Sequence, residues 1–150
     1  MGESKTALIV EDSRVQATHV GQLLIEVGLQ VLYAGDGLEG VQKAQRYHPD
    51  IIILDLEMPR MHGLEACRRL KQDAYTADIP IVMLTSHADE AVMVLEGIEL
   101  GAIDFIPKDG FADVVLVETL RQLHLLPNDT PTADAEAHLI ETSENTSVVG

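Results

Sequence analysis

Aromatic side chains are nearly missing from this chain. It has no Trp, and three Tyr and two Phe make up 3% of 150 residues, so a hydrophobic fraction of 46% is almost wholly aliphatic. One compact domain with an aliphatic core fits that length, and a second folded domain has no room. Cysteine is scarcer still: the single Cys67 cannot form an intramolecular disulfide. The start MGESKTALIV lacks the basic end and long apolar stretch of a secretory signal, so a cytoplasmic location is expected. No segment approaches the roughly 20 apolar residues that span a bilayer. Basic residues are outnumbered, 10 Lys and Arg against 25 Asp and Glu, for a formal charge of −15. That balance opposes an electrostatic grip on nucleic acid or anionic lipid and favours solubility or a cationic partner. Part of the acidity is local: residues 127–150 hold five acids and no Lys or Arg, while the body stays acidic without them.

What is present is a regular alternation of short apolar runs and helical patterns. Residues 7–10 form the first run, followed by Val15, Val20, Leu23, Leu24 and Val27 on one helical face, with Ser13 able to cap the helix and Gly28 to end it. Residues 31–34 precede a helix from Leu38 toward Tyr47, stopped by His48 and Pro49. Residues 51–54 precede a helix holding Leu64, Cys67 and Leu70, where the helical spacing marks Cys67 as core. Residues 79–84 lead to a helix with Val92, Leu95 and Ile98 that ends at Gly101. Phe105 and Ile106 precede a last helix with Phe111, Val114, Val117 and Leu120 or Leu123. Five strand and helix pairs in 126 residues predict an open parallel sheet between helical layers, since a barrel needs eight. Beyond Pro127 the composition turns polar and predicts a flexible tail, with a marginal helix at 133–140.

The third run, Ile51 to Leu54, is apolar on both faces, as in a sheet covered by helices on each side, and Asp55 stands at its tip. Parallel sheets bind ligands beyond the carboxyl ends of their strands. Polar residues follow four of the five strands there: Glu11 and Asp12, Asp55, Thr85 and Ser86, and Lys108. If the strand order is 2-1-3-4-5, the reversal lies between strands 1 and 3 and all four positions meet in one pocket. Three carboxylates at close quarters repel one another, and a divalent cation removes the conflict. Hard oxygen donors in a partly hydrated site suit Mg²⁺, with Asp12 and Asp55 as direct ligands, Glu11 acting through water, and the backbone carbonyl of Glu57 as a further donor. An ammonium and a hydroxyl beside such a metal are what a phosphoryl group needs, and Asp55 is the candidate nucleophile for an aspartyl phosphate.

Each feature alone has a plainer reading. A Glu-Asp pair after a strand is more often a helix cap, Thr85 and Ser86 a loop, and Lys108 a solvated charge. Their joint placement at four strand ends argues against those separate readings. His19, His48, His62, His87, His124 and His138 show no zinc-ligand spacing, and His87 is the one next to the pocket.

Over residues 5–126 the sequence resembles the receiver domain of two-component response regulators. The segments that carry the resemblance are LIVEDS (8–13), DIIILDLEMPRMHGLE (50–65), IPIVMLTS (79–86) and GAIDFIPK (101–108). It implies a flavodoxin-like, doubly wound α/β fold: a five-stranded parallel sheet of order 2-1-3-4-5 with five helices in a three-layer sandwich. It further implies Asp55 as phosphoacceptor, Glu11 and Asp12 as the acidic pair holding Mg²⁺, Lys108 as phosphate partner, and Thr85 with Phe105 as the switch. A histidine kinase or histidine phosphotransfer protein would be the donor. The face of helix 4, strand 5 and helix 5 would respond, with a phosphorylation-dependent homodimer as one outcome. Glu57 and His87 fall where family members vary and where side chains influence water attack on the phosphoaspartate.

One departure is Asp109, where the family usually has Pro after the Lys, joined by a cis peptide. A cis bond before a non-proline residue costs about 3 to 4 kcal/mol, so the Lys108–Asp109 peptide is predicted trans, with Asp109 available to cap the last helix. The main rival is a haloacid dehalogenase-type Mg-dependent phosphatase using Asp55 as nucleophile, although its usual second acid is Asp rather than the Glu57 found here. A flavin or nucleotide binder would need a Gly-rich loop after strand 1, which the sequence lacks. No DNA-binding or enzymatic domain fits in residues 127–150, so the expectation is either a stand-alone receiver that acts through protein contacts, the favoured reading, or a fragment of a longer regulator.

Overall fold

The structure, a computed structural model, describes residues 4–58, 62–86 and 91–127, leaving aside the side chains of 91–93. The polar tail from 128 onward, the helix expected at 133–140, and His87 lie outside the described residues. Strands and helices alternate strictly: β1 (Thr6–Val10), α1 (Arg14–Glu26), β2 (Gln30–Ala34), α2 (Gly37–Tyr47), β3 (Ile51–Asp55), α3 (Gly63–Gln72), β4 (Ile81–Thr85), α4 (Ala91–Glu99), β5 (Asp104–Pro107) and α5 (Ala112–Gln122). The strands pair in parallel in the order β2-β1-β3-β4-β5, as the family resemblance implied.

Side chains alternate across a strand, so each strand feeds two cores. Leu8, Val10, Ile52, Leu54 and Met83 pack on one side with Val41 and Ala44 of α2 and Ala66, Cys67 and Leu70 of α3. Ala7, Ile9, Ile51, Ile53, Val82, Leu84 and Ile106 pack on the other with Ala17, Val20 and Leu24 of α1 and Leu116 and Leu120 of α5. Burial pushes the Cys67 thiol up to about 11, which keeps it a neutral core group.

Local signals set the helix ends. The Ser13 hydroxyl accepts from Gln16 N at 3.3 Å and the Asp36 carboxylate from Glu39 N at 2.9 Å, so the acid after β2 is a helix cap. His48 closes α2 in the left-handed region (φ 47°), and Gly28 and Gly101 take φ of 102° and 111° after α1 and α4. β4 starts at Ile81 rather than 79 because Ile79 N is used in a turn to Thr76 O and Pro80 has no N–H, so only the Pro80 carbonyl joins the ladder, accepting from Ile52 N. Of the predicted helix faces, Val20 and Leu24 of α1 and Leu120 of α5 are buried as expected, while other members point outward. Val15 is 80% exposed and Phe111 73%, with Val114, Leu95 and Ile98 also exposed. Inward positions that the prediction did not name are Ala17 and Gly21 in α1, Gly97 in α4, and Leu116 and Thr119 in α5. Small residues let these helices approach the sheet, and a hydrophobic count does not register them.

Gly63 is the approach that matters for the site. A Cβ there would lie 2.6 Å from the Asp55 carbonyl oxygen and 2.7 Å from Leu56 Cα, both backbone atoms that cannot rotate away. Gly63→Ala is expected to destabilise the chain by about 1 to 3 kcal/mol, the usual scale of overpacking, read as a lower midpoint in urea unfolding. An unchanged midpoint would show that the β3–α3 connection yields freely.

Candidate functional site

Strand register assembles the site. Val10 pairs with Leu54, Asp55 with Leu84, and Thr85 with Pro107, so Glu11, Asp55, Thr85 and Lys108 arrive at one sheet edge. The ladder continues past the strands: Leu56 N donates to Leu84 O and Lys108 N to Thr85 O, each at 2.9 Å. By the two-residue alternation Glu11, Asp55 and Lys108 share the α1/α5 side, while Thr85 and Phe105 share the α3/α4 side.

Asp55 is 2% exposed at the end of a wholly buried strand. The Lys108 ammonium lies 2.8 Å from its Oδ1, 3.6 Å from Glu11 Oε1 and 3.9 Å from Glu57 Oε1. Burial works to lower the Lys108 pKa, and the hydrogen bond to Asp55 with the charges of Asp55, Glu11 and Glu57 overrides it, so the lysine is held charged. Glu11 is pushed the opposite way. Burial first, then Asp55, raises it to about 7, against the lowering effect of the Ser13 amide and of Lys108. Carboxylate oxygens of Glu11, Asp12 and Asp55 lie within 4.8 Å of one another. A hard-oxygen set with one member pushed up to about 7, by burial first and then by Asp55, fits a small divalent cation.

Thr85 is fully buried, and its hydroxyl donates to Glu57 Oε2 at 2.5 Å. The Ser86 hydroxyl and amide donate to Glu57 Oε1 at 3.2 and 3.4 Å. Glu57 N in turn donates to Asp55 Oδ1 at 3.2 Å. The sequence pointed to the Glu57 carbonyl as a metal donor and to its side chain as an influence on water attack, and missed this contact of its carboxylate with Thr85 and Ser86. The available signal was register: Glu57 follows Leu56, whose amide binds Leu84 O, which places it beside Thr85 and Ser86.

Phe105 is half-buried and packs against the α2/α3 core. Its ring takes the space of a side chain at Gly97, where a Cβ would lie 2.1 Å from the ring Cζ. The described residues contain no cis peptide, so the Lys108–Asp109 bond is trans as predicted. Asp109 does not reach the N-cap position, which is Phe111. Its Oδ1 accepts from Phe111 N at 2.9 Å and so closes the turn leading into α5.

An open five-stranded α/β sheet with an acidic, lysine-bearing notch beyond its strand ends defines a class of phosphoryl-handling proteins with strand-end carboxylates. The sequence model of the response regulator receiver domain matches residues 7–121, and the chain belongs to that family. It is 38% identical over 105 residues to the alkaline phosphatase synthesis transcriptional regulatory protein PhoP of Bacillus subtilis, covering 70% of this chain and 42% of that one. The chemotaxis response regulator CheY4 of Vibrio cholerae superimposes with a TM-score of 0.73 at 32% identity, covering 80% of this chain and 98% of that one. The receiver domain of sensor histidine kinase PA1611 from Pseudomonas aeruginosa, with a magnesium ion in its active-site cleft, gives 0.72 at 27% identity, covering 80% and 97%. The chain spans 28 to 59% of the length of curated relatives that it matches. It is a phosphorelay signalling domain, and the phosphatase alternative finds no support. No described helix is long and apolar enough to cross a membrane.

Glu11 gives the metal-free protein a pH signature. Its folded pKa of about 7 lies above the ordinary 4.5, so below about 4.5 it is protonated in both states and contributes nothing. As pH rises the unfolded chain loses that proton first, stability falls, and the full cost is reached above about 7. In EDTA the Tm of the wild type is therefore expected to fall across this window relative to Glu11→Gln. Parallel curves for the two proteins would contradict it.

Proposed function

We propose that Asp55 accepts a phosphoryl group from a phosphohistidine and that the added charge switches the domain. The observation that carries this reading is the 2.8 Å contact of Lys108 with a buried strand-end Asp55 in a chain of the receiver family. An Asp55 oxygen forms the new P–O bond as the P–N bond of the donor histidine breaks, the nitrogen leaving with the bonding electron pair. The Lys108 ammonium, already charged, moves with the transferring phosphoryl oxygens and offsets their charge, and Thr85 offers one hydroxyl donor. Asp12 and Asp55 would hold Mg²⁺ directly, Glu11 through water, and the Glu57 carbonyl as a further donor. When bound, the cation neutralises charge on the phosphoryl oxygens. The magnesium in the Pseudomonas receiver supports that choice.

A histidine kinase or histidine phosphotransfer protein is the donor class. Its approach is supported by a cleft of about 340 Å³ between α1 and α5, which opens beside Glu11 and Lys108 and is lined by Val15, Val20 and Ala112. On the far side, exposed Leu95 and Ile98 of α4 and Ile103 before β5 offer apolar contact for a downstream protein or a second copy. The domain acts as a phosphoacceptor in the cytoplasm rather than as a turnover enzyme, and its acidity keeps it from nucleic acid.

Acetyl phosphate with Mg²⁺ should add one phosphoryl mass at Asp55, and Asp55→Asn should abolish it. Lys108→Ala should slow labelling about a hundredfold, the scale of losing one charged donor to a developing oxyanion. Labelling that persists in Asp55→Asn, or steady turnover of p-nitrophenyl phosphate, would end this reading.

A further inference from the structure

We infer that the Glu57 carboxylate is a latch on Thr85, a positioning residue that the phosphoryl group must displace before the hydroxyl can reach it. The inference rests on the phosphoacceptor reading of Asp55 and names what opposes it. A threonine hydroxyl carries one proton. That proton is given to Glu57 Oε2 at 2.5 Å, at a fully buried position, so it is not also given to an acceptor on Asp55. Lys108 faces no such choice: an ammonium has three protons, and it spans Asp55 at 2.8 Å and Glu57 at 3.9 Å together. Of these two donors to the site, Thr85 is the one that must exchange partners.

The carboxylate is held from several directions. One oxygen takes Thr85, the other takes the Ser86 hydroxyl and amide at 3.2 and 3.4 Å, and the Glu57 amide is fixed to Asp55 Oδ1 at 3.2 Å. A dianion on Asp55 would meet this fixed negative charge two residues away in the chain and repel it. Thr85 and Ser86 are then released together, and a local change of charge becomes a change at the start of the β4–α4 connection. The latch thus sets the resting equilibrium: it lowers the affinity of the site for a phosphoryl group by the weight of one charge-assisted hydrogen bond.

The test is a double-mutant cycle read by beryllofluoride binding in Mg²⁺, with Asp55→Asn as the blank. Glu57→Ala should bind beryllofluoride about tenfold more tightly than the wild type, with Glu57→Gln between the two. In a Thr85→Ala background the same Glu57 substitutions should change affinity less than about twofold, because the partner is gone. In the unmodified protein, the Ser86 amide resonance should shift in Glu57→Gln. An equal gain in the Thr85→Ala background would mean that Glu57 acts only through its charge, and the latch would be refuted. Unchanged affinity in Glu57→Ala would refute it as well. If Glu57→Ala fails to fold, Glu57→Gln carries the cycle. A wild type that binds no beryllofluoride would instead remove the phosphoacceptor reading, taking this inference with it.

Discussion

The ion pair between Lys108 and Asp55 is the contact on which the site depends, because it joins the third and fifth strands across the fourth. A buried carboxylate with no cation beside it is costly, and the Lys108 ammonium offsets that cost for Asp55. Three acids surround one lysine, and burial first, with Asp55 beside it, pushes the Glu11 carboxyl up to about 7. A bound cation would relieve that imbalance, whereas a phosphoryl group would add to the negative charge.

Parallel register makes that arrangement reproducible. Each strand ends within a residue of its neighbour, so consecutive ladder pairs deliver side chains from four sequence-distant segments to one edge. Two-residue alternation then sorts them. The charged trio takes the α1/α5 side, and the hydroxyl takes the side where α3 and α4 lie. The charged groups and the pair of Thr85 and Phe105 therefore lie toward opposite faces of one sheet.

Much of this was legible in the sequence for a physical reason. Doubly buried strands such as Ile51 to Leu54 read as unbroken apolar runs, and the polar residues that interrupt them mark strand ends. Asp55, Glu11, Asp12, Thr85 and Lys108 could be placed from that alone, with the strand order supplied by resemblance. What escaped depends on closeness rather than polarity. The buried faces of α1 and α4 are set partly by Gly21 and Gly97, which carry no hydrophobic signal, and so Val15, Leu95 and Ile98 were assigned inward when they point to solvent. The Glu57 carboxylate escaped because its partners, Thr85 and Ser86, are 28 and 29 residues away and are brought near only by the β3–β4 pairing.

Gly97 also ties a helix to a ring. Phe105 fills the space left beside the α4 backbone, so turning the aromatic outward would empty a pocket as large as part of a side chain. Close-packed interiors do not keep such voids cheaply. The helix would have to slide in as the ring swung out, gearing strand β5 to α4 by shape alone, with no polar bond required.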